Sequence, residues 1–414
     1  MAFNSLEYAI FLVVVFLAFW AMSRFGAARL VMLTVASWLF YAASNPWFLT
    51  LLVASTVIDY FIAIWLDKQE DARKRKLLLI VSLTSNLGLL AFFKYTNFFL
   101  EAGVATANLF GADLTFTRLD ILLPAGISFY TFQTLSYTID VYRRQLPVER
   151  DFLRFAFFVA YFPQLVAGPI VRAADFLPQL HKPSYLSRQQ VSRALWLIGV
   201  GIIKKVCIAD ILGVNIVEKA WVDPTLVSSW DVIIALYAYT MQIYMDFSAY
   251  SDIAIGSALL FGYHLPDNFD RPYAAVSIQD FWRRWHKTLG SWLRDYLYYP
   301  LGGAKGSDAR VYFNLFVTFV LIGFWHGANI NFLLYGVGHA LAMITNRWWR
   351  KRREKAGGPR KAELDAWGLI WRVFLTLHFV VLMRILFRSA DPQFSSGEAL
   401  EKAGQIVSRI TDGA

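Results

Sequence analysis

His326 lies in the segment LIGFWHGANINF, at the end of an apolar run from Phe313 that only Asn314 and Thr318 break. An ionisable group on such a run costs about 3 kcal/mol or more if the run spans a membrane, so it is a functional candidate by default. A neutral imidazole in a poorly hydrated pocket can take a proton, which is what a general base acting on a hydroxyl must do. Gly327 leaves room for a reacting group, and Asn329 can hydrogen-bond the ring. The competing reading is a structural histidine bonded to a backbone carbonyl.

A second histidine sits in FWRRWHKTLGSWLRDYLYYPLGG, Phe281–Gly303. His286 is surrounded there by Trp282, Arg283, Arg284, Trp285, Lys287, Trp292 and Arg294. Basic residues interleaved with aromatics suit a nucleic acid, a membrane surface or the wall of an active site. On a helical wheel the tryptophans, with Leu289, Leu293 and Tyr296, share one arc, and the cations share the other. The pattern predicts one amphipathic helix near 281–297, lying in the headgroup plane with its aromatic residues down.

Other polar groups interrupt apolar stretches. In QIYMDFSAYSDIAIG, Asp246 and Tyr250 share a helical face, as do Ser248 and Asp252. LLPAGISFYTFQTLSYTIDVYRR mixes Gln133, Ser136, Tyr137 and Asp140 into one helix. Such stripes suit a hydrated lumen or a network of groups that satisfy one another. FPQLVAGPIVR puts Pro163, Gly168 and Pro169 at membrane depth, where a broken helix is tolerated only inside protein or beside a cavity. Asp59 is expected to pair with a neighbouring helix. The GxSxG, HExxH, Walker and GxGxxG motifs are absent, and no histidine has an aspartate five residues later. No Cys/His cluster suggests a metal. The single Cys207 cannot form an internal disulfide and reads as a buried structural thiol.

The elements that must hold these residues are membrane helices. Of 414 residues 57% are hydrophobic and only 17% charged, and the mean hydropathy is +0.44. A soluble chain carries about a quarter charged residues. Apolar runs recur at Tyr8–Met22, Leu30–Tyr41, Phe48–Leu66, Leu77–Phe93, Leu122–Ile139, Phe152–Val166, Ala194–Val214, Val232–Phe261, Phe313–Trp325, Phe332–Ile344 and Ile370–Leu386. They predict an all-α polytopic membrane protein of about 9–11 helices crossing or entering the bilayer. Met1–Met22 lacks a basic start and a cleavage site and reads as a retained first helix.

The net charge of +10 gathers in short loops: Lys68 with Arg73–Lys76, and Arg347–Lys361. Both are assigned to the cytoplasm by the positive-inside bias, which also makes nucleic acid a poor reading. No internal repeat is evident, so the chain reads as one membrane domain. Helical hairpins occupy residues 1–100, a core 122–345, and a basic loop, last helix and amphipathic tail 346–414.

Together LLPAGISFYTFQTLSYTIDVYR, FPQLVAGPIVR, YMDFSAYSDIAIG, NFDRPYAAVSIQDFWRRWHKTLGSWLRDYLYYPLGG and FWHGANINFLLYGVGHA resemble the membrane-bound O-acyltransferase (MBOAT) family. The similarity is to the branch that acetylates exported polysaccharides such as alginate and D-alanylates teichoic acid. The resemblance implies acyl transfer from a cytoplasmic thioester to a hydroxyl on or beyond the membrane. The family's WHG histidine falls on His326, which would activate the acceptor hydroxyl; the histidine of the RRWH block falls on His286. Trp282, Arg283, Arg284, Trp285, Asn329, Asp246, Tyr250 and Gln133 would line the donor tunnel. The implied donor is acetyl-CoA, with no permanently bound cofactor. The implied partner is an extracytoplasmic acetyltransferase, and the implied location the bacterial inner membrane. Two other readings are D-alanyl transfer from a carrier protein and a transporter using Asp59, Asp140, Asp246 and Asp252. Members of this branch commonly continue with further hydrophobic helix beyond the LFRS segment, where this sequence has an amphipathic tail.

Overall fold

The computed structural model describes residues 1–357, 365–391 and 394–411. Among these the secondary structure is helical throughout, without β-strand. In chain order come α1 (Leu6–Ala21), α2 (Gly26–Ala42), α3 (Pro46–Lys68) and α4 (Ala72–Leu109). Then follow α5 (Ile127–Tyr142), α6 (Phe152–Ala160), α7 (Phe162–Leu165), α8 (Ala173–Leu180) and α9 (Arg188–Ile202). Short pieces α10 (Asp210–Leu212) and α11 (Glu218–Val222) lie among π-helical turns before α12 (Ser229–Leu260). The last six are α13 (Ile278–Arg284), α14 (Lys287–Leu293), α15 (Asp308–His326), α16 (Ile330–Lys355), α17 (Ala366–Ser389) and α18 (Ser396–Thr411).

Among the described residues four helices, α3, α4, α15 and α17, are long and apolar enough to cross a membrane alone; α1 and α2 are apolar but shorter. The α1 sequence shows why these are membrane elements. Tyr8, Leu12, Val15 and Phe19 are buried, while Leu6, Ile10, Val13, Val14 and Leu17 face outward. A helix in water would carry charge on that outer face; here only lipid can solvate it.

The chain forms two compact units. Unit 1 comprises residues 1–96, 110–206 and 247–267, and unit 2 comprises 97–109, 207–246 and 268–414.

Unit 1 is packed by rings. Phe11, Phe40 and Phe162 meet at 5.1–5.7 Å, and Tyr161 lies 4.8 Å from Phe157 and 5.5 Å from Phe176. The apolar run 152–166 is broken between α6 and α7 at Tyr161, ahead of Pro163, as a proline in the run requires. Asp59 does pair with its neighbour: it accepts from Ser82 Oγ at 2.6 Å and from Asn86 Nδ2 at 2.8 Å, both on α4. Asp252 is held by Lys204 at 2.6 Å. One member of the first basic cluster is not in solvent. Arg75 is buried and donates to the Tyr142 and Val141 carbonyls at the end of α5, so it satisfies groups that a helix terminus leaves open.

In unit 2, α15 and α16 form a hairpin against which α17 and α18 pack. The second basic cluster is no loop, because α16 continues as a helix to Lys355; residues 358–361 of it lie outside the described residues. Alternating good helix formers with cations suits a helix leaving the membrane as well as it suits a loop. The tail is docked over residues 394–411: Asn331 Nδ2 donates to the Ala399 carbonyl, and Arg409 Nε to that of Val227 at 2.6 Å. Cys207 is exposed and not buried. It lies in a stretch where Ile202, Ile203, Val206 and Ile211 are exposed too. In a membrane chain an apolar surrounding is satisfied by lipid, so it does not imply burial in protein.

Candidate functional site

His286 is positioned by a break in the helix that the wheel predicts as continuous. Ser277 caps α13, its Oγ accepting from the Asp280 N–H at 3.2 Å. Helix α13 ends at Arg284, and α14 begins only at Lys287. Between them His286 adopts a left-handed backbone with φ of 45°, a conformation costing a non-glycine residue about 1–2 kcal/mol. The cost is offset by a clamp from the preceding loop. The Asn268 carbonyl accepts from the Lys287 N–H at 2.9 Å, and the Arg284 carbonyl from the Asp270 N–H at 3.0 Å. The single helix over 281–297 is therefore three pieces, α13, α14 and a π-helical turn Arg294–Tyr298. The tryptophans are not all headgroup anchors either. Trp285 is buried, 5.2 Å from Phe269 and 5.7 Å from Phe281, because the backbone turn at His286 redirects the arc inward.

The same clamp sets the histidine tautomer. Asn268 Oδ1 accepts from Thr288 Oγ1 at 2.9 Å and lies 3.0 Å from His286 Nδ1. An oxygen acceptor assigns the proton to Nδ1 and leaves Nε2 with its lone pair. His286 is 2% exposed, and burial pushes its pKa down to about 3. The folded ring thus stays neutral, whereas the ring of the unfolded chain binds a proton below about 6.5. This contribution is complete above about pH 6.5 and is lost toward pH 3, by about 1.4 kcal/mol per pH unit. Thermal unfolding midpoints in detergent at pH 7 and pH 5 should fall further for the wild type than for His286→Gln.

His326 ends α15, and the chain leaves the helix in extended form at Gly327. Its half-buried ring sits in an aromatic box. Phe387 is at 5.0 Å and Trp325 at 4.9 Å, with Tyr335 at 6.1 Å edge-on and Phe332 at 6.2 Å nearly parallel. The Trp325 ring is also 6.2 Å from His286, so one indole borders both histidines. The Asn329 side chain serves the backbone: its Oδ1 accepts from the Asn331 N–H at 3.0 Å and caps α16.

Of the remaining candidates, Trp282 joins this cluster, donating Nε1–H to His339 Nδ1 at 3.2 Å. Arg284 is tied to Asp280 at 3.0 Å, and Arg283 is exposed. Asp246 belongs to unit 2 and is carried by α12; Tyr250 and Gln133 belong to unit 1. Gln133 is buried in α5. The ring cluster around His326 and His286 lies within unit 2.

Two residues of the cluster escape the sequence argument. His339 is 1% exposed, and its ring lies 4.4 Å from that of Tyr335. Arg384, on α17, is 1% exposed, with its guanidinium over Trp285 at 4.8 Å and Phe387 at 5.4 Å. The rule that singles out His326, an ionisable group on an apolar run, applies equally to both.

The sequence model of the membrane-bound O-acyltransferase family matches residues 40–387, the whole stretch that carries this cluster. The chain belongs to the MBOAT family. It is 36% identical to a probable alginate O-acetylase of Pseudomonas syringae over 94% of this chain and 73% of that protein. It is equally 36% identical to a peptidoglycan O-acetyltransferase of Helicobacter pylori, over 92% of this chain and 75% of that one. A teichoic acid D-alanyltransferase of Bacillus subtilis is 26% identical over 62% of this chain and 66% of its own. This MBOAT protein is a multi-pass membrane O-acyltransferase.

Proposed function

We propose that the protein takes an acetyl group from acetyl-CoA at the cytoplasmic face of the bacterial inner membrane and passes it outward for O-acetylation of an exported polysaccharide. An extracytoplasmic partner transferase completes the reaction on the polymer. The observation that carries this reading is the aromatic box around His326, with neutral His286 beyond Trp325. In it His326 takes the proton of the acceptor hydroxyl as the oxygen attacks the thioester carbonyl carbon. The tetrahedral intermediate collapses with cleavage of the carbon–sulfur bond, and the imidazolium returns its proton to the departing thiolate. An ester and a thiol result, and His326 is again neutral. A site walled by rings keeps water, the competing acceptor, from the thioester.

His286, whose pKa is pushed down to about 3 by burial, is a poor proton acceptor at pH 7. Its role is to hold the cytoplasmic mouth in shape. Arg283, exposed beside it, suits the phosphates of the donor. An acetyl group is favoured over D-alanine because the two relatives at 36% identity are named for O-acetylation and the D-alanyltransferase is at 26%. Alginate-type and peptidoglycan acceptors are supported equally.

Proteoliposomes containing the wild-type protein test the donor. Radiolabelled acetyl-CoA should release free CoA and leave base-labile label on the acceptor; an acetylated carrier protein should not. Transfer from the carrier protein alone would replace the donor in this reading.

A further inference from the structure

Arg384 is a cation placed where a cation needs compensation. It is fully buried on α17, and among the described residues the groups acting on it include no carboxylate. The ionisable groups acting on it are Tyr335, Tyr273 and Tyr239, phenols and not carboxylates. The faces of Trp285 and Phe387 stabilise its charge through their ring electrons. The phenol oxygens of Tyr273 and Tyr335 also stand within hydrogen-bonding reach of the guanidinium, yet Nε and Nη2 make no hydrogen bond to the protein. These two nitrogens form one edge of the guanidinium. Their N–H bonds run side by side, the fork that matches two oxygens of a carboxylate or phosphate.

A third donor belongs to the same cluster. His339 Nδ1 accepts from the Trp282 indole at 3.2 Å, which leaves the proton of the neutral ring on Nε2. Nε2 is buried and has no hydrogen-bond partner in the protein. Arg384 and His339 act on one another electrostatically, and the His339 ring packs on Tyr335. Buried polar groups in folded proteins are nearly always paired, so unpaired ones call for an explanation. All three unpaired nitrogens are donors, so the group that would satisfy them is an acceptor, and the uncompensated charge makes it an anion.

We propose that the Nε/Nη2 edge of Arg384, assisted by His339 Nε2, is a binding site for a small oxyanion, a carboxylate or a phosphate group. The site stands one aromatic ring from His326, across Phe387. It rests on unpaired donors in unit 2 and not on the proposed donor or acceptor.

The test is an equilibrium measurement without turnover. Unfolding midpoints of the detergent-purified protein are followed against sodium acetate, sodium phosphate and sodium chloride at constant ionic strength. Acetate or phosphate should raise the midpoint saturably above the chloride value. A response to acetate alone assigns a carboxylate ligand, and a response to phosphate assigns a phosphate-bearing one. Arg384→Lys keeps the charge, and hence the fold, but loses the fork; its half-maximal concentration should rise about tenfold or more. His339→Gln provides an independent variant and should shift the response in the same direction. Equal midpoints in all three salts would overturn the proposal. So would an oxyanion response that neither variant moves.

Discussion

Replacing His326 by alanine should lower acyl transfer by about 10²–10⁴-fold, the usual contribution of a positioned general base. The protein should remain folded, because the ring is only half-buried and stands at the end of α15 instead of filling the centre of the unit. A variant that loses activity by unfolding would be read wrongly, so His326→Gln is the companion. Glutamine fills much of the same space among Phe332, Tyr335 and Phe387 but cannot accept the proton. Both variants should show wild-type unfolding midpoints and near-background transfer. Activity retained in His326→Gln would assign the ring a packing role only.

The second large effect lies one helical turn earlier and touches no chemical group. Gly323 faces Gly336 where α15 crosses α16. A Cβ built on Gly323 would overlap the Phe332 carbonyl and come within 2.9 Å of Gly336 N. Membrane helices lack a hydrophobic drive to associate and rely on this close backbone approach. Valine at 323 must therefore push the two helices apart, at a cost of about 3 kcal/mol. That shift moves His326 at the end of α15 away from Tyr335 and Phe332 on α16. Gly323→Val should lose most transfer activity and lower the unfolding midpoint with the histidine intact. Gly338→Ala is the contrast. Its new Cβ meets only the Met383 side chain, with Sδ at 2.6 Å and Cε at 3.5 Å, and a flexible thioether can move, so this variant should retain both stability and activity. Equal losses in the two variants would remove the helix-crossing argument.

Much of this structure is legible in the chain because a bilayer leaves few choices. Apolar runs of sufficient length can only be helices, and each of the eleven runs contains helix within or near its bounds. What periodicity cannot supply is a break made by tertiary contacts. The 281–297 stretch has an unbroken amphipathic pattern, yet Asn268 holds His286 in a left-handed turn and splits it. Asn268 is eighteen residues away, and nothing in a wheel weighs its hydrogen bonds. Cys207 and Arg75 err in opposite directions for one reason. In a membrane protein, hydrophobicity reports contact with lipid as readily as burial, and a cation in a basic cluster can still turn inward to helix-end carbonyls. His326 is visible as a polar group out of place. Arg384 carries the same mark within the run Ile370–Leu386, and its surroundings show it turned inward among rings.

Proteoliposomes holding equal amounts of folded wild-type and His326→Ala protein measure whether His326 carries the acyl transfer. Radiolabelled acetyl-CoA is supplied outside, and base-labile label on the acceptor is counted over a time course. Wild-type protein should transfer steadily and the variant about 10²–10⁴-fold more slowly, with the same unfolding midpoint. Transfer by His326→Ala at the wild-type rate would contradict that role.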